Sequence, residues 1–176
     1  MDPAVESVVL IGFMGAGKSA IARELERLTG LPRYEVDDLI TAASGESVSD
    51  VFERNGEEAF RELETATLEK LLGLPAGIVD VGGGAVLRNS DLLKRIGRVV
   101  WLRVSEDEMW RRVAGRTDRP LLNVADPRAR FMELLHERTT MYATATDLAI
   151  DTEGRSAREV AAAIARQLNL LPARIP

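Results

Sequence analysis

The sequence contains no cysteine, which excludes disulfides and any thiolate metal site and suits a reducing cytosol. No run approaches the ~18 apolar residues of a membrane span. The opening MDPAVES is acidic and lacks the basic stretch that begins a signal peptide. Internal repeats, low-complexity tracts and interdomain linkers are also missing. A formal net charge of −5 argues against a general nucleic-acid binder. The absences together predict a soluble, cytoplasmic monomer that binds neither nucleic acid nor membrane.

What remains is 176 residues of ordinary globular composition, 45% apolar and 29% charged, enough for one domain spanning residues 1–176. Short apolar segments alternate with helical ones. Val8–Ile11, Arg33–Val36, Ile78–Val81, Val99–Val104 and Leu148–Ile150 are rich in β-branched residues, as buried parallel strands are. Ile21, Leu25 and Leu28 form one helical stripe that Gly30 closes. Ser105 with Glu108, and Ser156 with Glu159, have the spacing of capping boxes, and Asp126-Pro127 that of a helix start. The last helix carries Val160, Ala161, Ile164 and Leu168 on one face, and a frayed tail follows over 171–176. The pattern predicts an α/β fold: a five-stranded parallel sheet between two helical layers, with ligands at the carboxyl ends of its strands.

The chemistry gathers at those ends. Gly12-Phe13-Met14-Gly15-Ala16-Gly17-Lys18-Ser19 matches the phosphate-loop pattern G-x-x-x-x-G-K-[ST], with a strand before it and an amphipathic helix after. Glycines let backbone N–H groups converge on phosphate oxygens, and the helix N-terminus adds a favourable dipole. Lys18 is placed to reach the β- and γ-phosphates and Ser19 to hold Mg²⁺. The pattern alone does not separate a kinase from a GTPase or a motor ATPase, although no N-K-x-D guanine motif is present.

After the second strand, Glu35 and Asp37 are expected on one strand face at the mouth of the sheet. There they suit a hydrated Mg²⁺ and a hydroxyl that needs orienting or deprotonating, or else they cap the helix at Leu39–Ala43, as Asp38 does. Arg61 and Glu64 share a helical face, a spacing that also describes plain surface ion pairs. Gly82, Gly83 and Gly84 at the third strand's end leave backbone N–H groups open to a ligand, or form a tight turn. Between Arg111 and Arg138 stand seven arginines and four acids, a positive segment in an acidic chain. Within it, Arg116-Thr117-Asp118-Arg119-Pro120-Leu121-Leu122 has the look of a lid.

GFMGAGKS, the aspartate after strand two, FRELE, GGGAV and RPLL, with Arg138 four residues before Tyr142, resemble the shikimate kinases in order and spacing from Val8 to about Leu168. The resemblance implies a P-loop kinase of the nucleoside-monophosphate-kinase type with a mobile lid at about 113–126 and an acceptor-binding segment at about 36–64. It implies ATP and shikimate as substrates, with Mg²⁺ as cofactor. ATP would be bound by Gly12, Gly15, Ala16, Gly17, Lys18, Ser19, Ala20, Arg112, Arg119 and Arg155, with Arg112 stacked on adenine. Asp37 would bind the shikimate hydroxyls and act as general base. Arg61 and Arg138 would grip the carboxylate, with Gly83 beside it in the Gly82–Gly84 turn. Phe52, Phe60 and Glu64 would shape that pocket, and Arg119 would close on the transferring phosphate.

Three departures accompany the resemblance. Glu35 stands where the family has an aspartate, and Asp80 where it has a small or apolar residue. Either could serve Mg²⁺ through water, or Asp80 could partner an arginine. Arg155-Ser156-Ala157 lacks a proline found near the adenine in some members. Two other readings stand beside this one: another small-metabolite kinase, such as one acting on gluconate, and a nucleotide-binding module without turnover.

Overall fold

β1 (Ser7–Ile11) organises the molecule, because its alternating side chains feed two separate cores. Val8 and Leu10 pack with Ile21, Leu25, Val160 and Ile164, whereas Val9 and Ile11 pack with Leu68, Leu93 and Phe131. This computed structural model describes residues 6–116 and 119–170. After β1 come α1 (Lys18–Thr29), β2 (Arg33–Glu35), α2 (Val36–Ser44), α3 (Val48–Leu71), β3 (Ile78–Asp80) and α4 (Val86–Ile96). The chain continues through β4 (Gly97–Arg103), α5 (Glu106–Val113), a 3-10 turn (Pro120–Leu122), α6 (Pro127–Ala145), β5 (Leu148–Asp151) and α7 (Ala157–Gln167).

The five strands are all parallel and run in the order β2-β3-β1-β4-β5. α1 and α7 pack together over one face, while α3, α4 and α6 cover the other. The expected three-layer α/β architecture is therefore present. Ile11, Glu35 and Asp80 end their strands at the same edge, where β2 and β3 pair Glu35 opposite Asp80.

Several local expectations hold. Gly30 closes α1 with φ 73°, Asp126 caps α6 by accepting from the Ala129 N–H, and Ser156 and Glu159 form their capping box. Two do not. β2 stops at Glu35 and α2 begins at Val36, so Asp37 lies in a first helical turn and not on a strand face beside Glu35. Ser105 makes no capping hydrogen bond: its hydroxyl donates to Glu153, while Glu108 accepts from Arg111 and Arg112. A carboxylate has taken the serine hydroxyl, and two arginines have taken Glu108. A box between Ser47 and Asp50 opens α3, and Gly56, at φ 81° and ψ 174°, interrupts that helix. The predicted tail at 171–176, the opening MDPAV, and Thr117 and Asp118 of the predicted lid lie outside the described residues.

Candidate active site

The phosphate loop joins the end of β1 to the start of α1. Gly15 has φ 84°, and a Cβ there would stand 2.7 Å from the Met109 carbonyl oxygen, so only glycine lets the loop close against α5. Gly17 is the N-cap of α1, whose first turn has no capping side chain and no acid. The free N–H groups and the positive end of the helix dipole are thus left for an anion.

Lys18 folds its Nζ onto the Gly12 carbonyl at 3.0 Å and the Phe13 carbonyl at 3.5 Å. Burial lowers its pKa from the ordinary lysine value, nearby Asp80 opposes that, and Arg119 reinforces it. The Ser19 hydroxyl donates to Asp80 Oδ2 at 2.6 Å. Asp80 therefore meets the phosphate loop through a serine. Glu35, by contrast, is ion-paired with Arg33 on its own strand.

These groups line an open cavity of about 340 Å³ that also takes in Ala20, Arg112 and Arg116. A second cavity, of about 410 Å³, adjoins it and is walled by α2, α3 and α6. Met14, Glu35, Asp37, Gly82, Gly83 and Arg119 line both. Asp37 keeps contact with water in the open cleft, yet protein surrounds it closely. The resulting desolvation raises its carboxyl above the ordinary value of 3.8, with Lys18 pulling the other way and Asp80 adding to the rise.

The second cavity has a cationic floor. Arg61 and Arg138 are only 5% and 3% exposed, which is unusual for arginine and requires compensation. Arg61 donates to Glu64 at 2.7 Å and to Glu57 at 3.2 Å. Its guanidinium fills the space where a Cβ on Gly84 would have to sit. Arg138 lies 5.6 Å from the centre of the Phe13 ring, a cation–π distance, and its Nε has no hydrogen-bond partner. Burial pulls the Arg138 pKa down and pushes the Glu64 carboxyl up. Phe52 and Phe60, with ring centres 4.6 Å apart, form the apolar wall. Arg119, half-buried, also carries a partnerless buried Nε.

A smaller cavity of about 300 Å³ lies behind the loop, between Ala16, Gly17, Ala20, Arg112, Thr152 and Arg155. Arg112 donates to the Gly15 carbonyl at 2.8 Å, and Arg155 to the carbonyls of Asp151 and Glu159. Gly12, the remaining loop residue, accepts from Lys18 as described. The structure thus gathers the sequence-predicted residues at one edge of the sheet, except that Glu64, fully buried behind Arg61, lines none of these cavities. The sequence pattern assigns no role at the site to Met14, which lines both cavities, or to Tyr142, whose hydroxyl donates to the Gly83 carbonyl. For Tyr142 the available signal was its i, i+4 spacing from Arg138 on α6.

Among the described residues, no three His, Cys, Asp or Glu side chains converge as a metal cage. A cation here would take most of its ligands from phosphates and water, as Mg²⁺ commonly does.

The family model for shikimate kinase matches residues 14–169. A shikimate kinase of Nitrosospira multiformis is 38% identical over 95% of this chain and 87% of its own length. One from Geobacter sulfurreducens is 42% identical over 90% of this chain and 88% of its own. Among solved structures, the shikimate kinase from Acinetobacter baumannii in complex with shikimate superposes with TM-score 0.90 and 32% identity, covering 94% of this chain and 93% of that one. A sugar kinase from Janibacter, at TM-score 0.62 and 16% identity, shares the fold alone.

Proposed function

This chain belongs to the shikimate kinase family, and from that premise we propose that it transfers the γ-phosphate of ATP to the 3-hydroxyl of shikimate, giving ADP and shikimate 3-phosphate. The observation that carries the reading is that Asp37 and Arg119 line both cavities, one bordered by a phosphate loop and the other floored by buried arginines. A phosphoryl group moving between the cavities passes between a carboxylate and a guanidinium.

In this reading the triphosphate lies along the loop, with its oxygens on backbone N–H groups and the start of α1. Lys18 leaves the Gly12 carbonyl for the phosphates. Its lowered proton affinity is restored there, because added negative charge favours the ammonium. Arg112 and Arg155 border the adenine. Arg61 and Arg138 take the shikimate carboxylate in planar, charge-assisted contacts, and the orphaned Arg138 Nε gains an acceptor. Asp37, with its raised proton affinity, receives the proton of the 3-hydroxyl as that oxygen attacks phosphorus. Arg119 neutralises charge on the three equatorial oxygens in flight. Positioning and charge, with no covalent intermediate, lower the barrier.

Mg²⁺ fits this donor set: a P-loop serine hydroxyl already held by a carboxylate, beside a second carboxylate, Glu35. Bound, it would neutralise charge on the phosphates. Segment 113–126 acts as a lid and 36–64 as the acceptor-binding segment, and closure excludes water that would otherwise waste ATP. We place the reaction in the cytoplasm and take the monomer as the working unit. No helix among the described residues is long and apolar enough to cross a membrane.

An ADP-coupled assay with shikimate, gluconate, quinate or no acceptor tests the reading. Turnover with shikimate well above the other three is expected. Preference for gluconate would favour a sugar-acid kinase, and no turnover a binding module.

A further inference from the structure

β2 and β3 set two carboxylates side by side, Glu35 opposite Asp80, at the mouth of the nucleotide cavity. Like charges in direct register repel unless each is compensated. They are compensated differently. Glu35 is paired with Arg33, two residues earlier on the same strand face. Asp80, 7% exposed, instead accepts the proton of the Ser19 hydroxyl at 2.6 Å. That contact ties two strand-end and helix-start positions separated by 61 residues, beside Lys18.

We propose that Asp80, and not Glu35, is the carboxylate that makes Ser19 a ligand for the divalent cation arriving with the nucleotide. The inference rests on the nucleotide-binding part of the function proposed above. A hydroxyl has one proton and two lone pairs. With its proton committed to Asp80, Ser19 is fixed in one rotamer, and its lone pairs remain for a cation in the cavity. A charged acceptor strengthens that hydrogen bond and raises the electron density on the serine oxygen. Glu35 offers no comparable help, since a cation must first compete with the Arg33 guanidinium for its oxygens. Asp80 is thus a positioning residue acting through Ser19.

Binding of ADP to the full-length protein, measured by calorimetry with and without Mg²⁺, separates this from a purely structural tie between β3 and α1. In the native protein Mg²⁺ should tighten ADP binding. In Asp80→Asn that tightening should shrink by about 10–100-fold, the usual effect of removing a partner that orients a metal ligand. Metal-free ADP should bind this variant at least as well as the native protein, because a negative charge near the phosphates has gone. Glu35→Gln should lose less of the Mg²⁺ effect than Asp80→Asn does, because the Glu35 carboxylate is already shared with Arg33. Should Asp80→Asn fail to fold, Asp80→Ser is measured in its place and read in the same way. Full Mg²⁺ coupling in the Asp80 variant, or a greater loss of it in Glu35→Gln, would overturn the inference. Native coupling with the expected variant pattern would support it even if shikimate turnover were absent, a failure that would count against the kinase reading alone.

Discussion

Nη1 of Arg61 donates to Oε2 of Glu64 across 2.7 Å, with the two side chains 6% and 0% exposed. The i, i+3 spacing that describes countless weak surface pairs is here a sealed one. Removing one member strands the other, which costs about 3–5 kcal/mol for a buried pair. Glu57, still within 3.2 Å of Arg61, offsets part of that. Glu64→Ala should therefore lower Tm, by about 2–4 °C for each kcal/mol lost in a chain of this size. It should also raise KM for shikimate. A native Tm measured by calorimetry would show that the pair contributes nothing net.

Asp37→Asn should collapse kcat with little change in ATP affinity, because it removes the proton acceptor and leaves the phosphate loop intact. It should also stabilise the protein near neutral pH. Burial raises the folded-state pKa of Asp37 above 3.8, so ionised Asp37 costs stability as pH rises through that raised value. Asparagine avoids the cost. Denaturant melts should show the variant's advantage at neutral pH, fading as pH falls through the raised value and gone below 3.8, where the native side chain is protonated in both states. An undiminished kcat would reduce Asp37 to a helix-start residue.

Arg138→Lys keeps the charge but loses the planar fork and its packing on Phe13. KM for shikimate should rise about tenfold or more, from loss of ~1.5–3 kcal/mol for a charged hydrogen bond. KM for ATP should change much less, and slow acceptor-independent ATP hydrolysis should be untouched. A native shikimate KM would move the carboxylate site elsewhere.

Arg119→Ala should lower kcat more than it weakens ground-state binding of either substrate, because this side chain is read as engaging the phosphoryl group in transfer. Calorimetric Kd values set beside steady-state kcat test this. Weakened binding with unchanged kcat would make Arg119 a simple anchor.

The sequence-level account was strongest where a local pattern has a local cause. The strand–loop–helix unit from Val8 to Leu28 follows from glycine spacing and apolar period, and the structure reproduces it. Asp37 lies at the expected mouth of the sheet but on a different element: helix α2 starts at Val36, three residues before the expected start at Leu39. The Ser105–Glu108 box failed because Arg111, Arg112 and Glu153 offered better partners. Arg33 taking Glu35, Ser19 reaching Asp80, and Tyr142 holding Gly83 depend on strand order and helix packing. A pattern of neighbours along the chain does not contain them. They set which carboxylate Ser19 meets and what holds the Gly83 carbonyl.

The central claim, transfer to the shikimate 3-hydroxyl, is tested most directly by ³¹P NMR of the native protein with ATP, Mg²⁺ and shikimate. One new phosphomonoester resonance, coupled to the proton on shikimate carbon 3, should grow in step with ADP. Little inorganic phosphate should appear. Growth of inorganic phosphate alone, or of a phosphoester at another hydroxyl, would contradict the account.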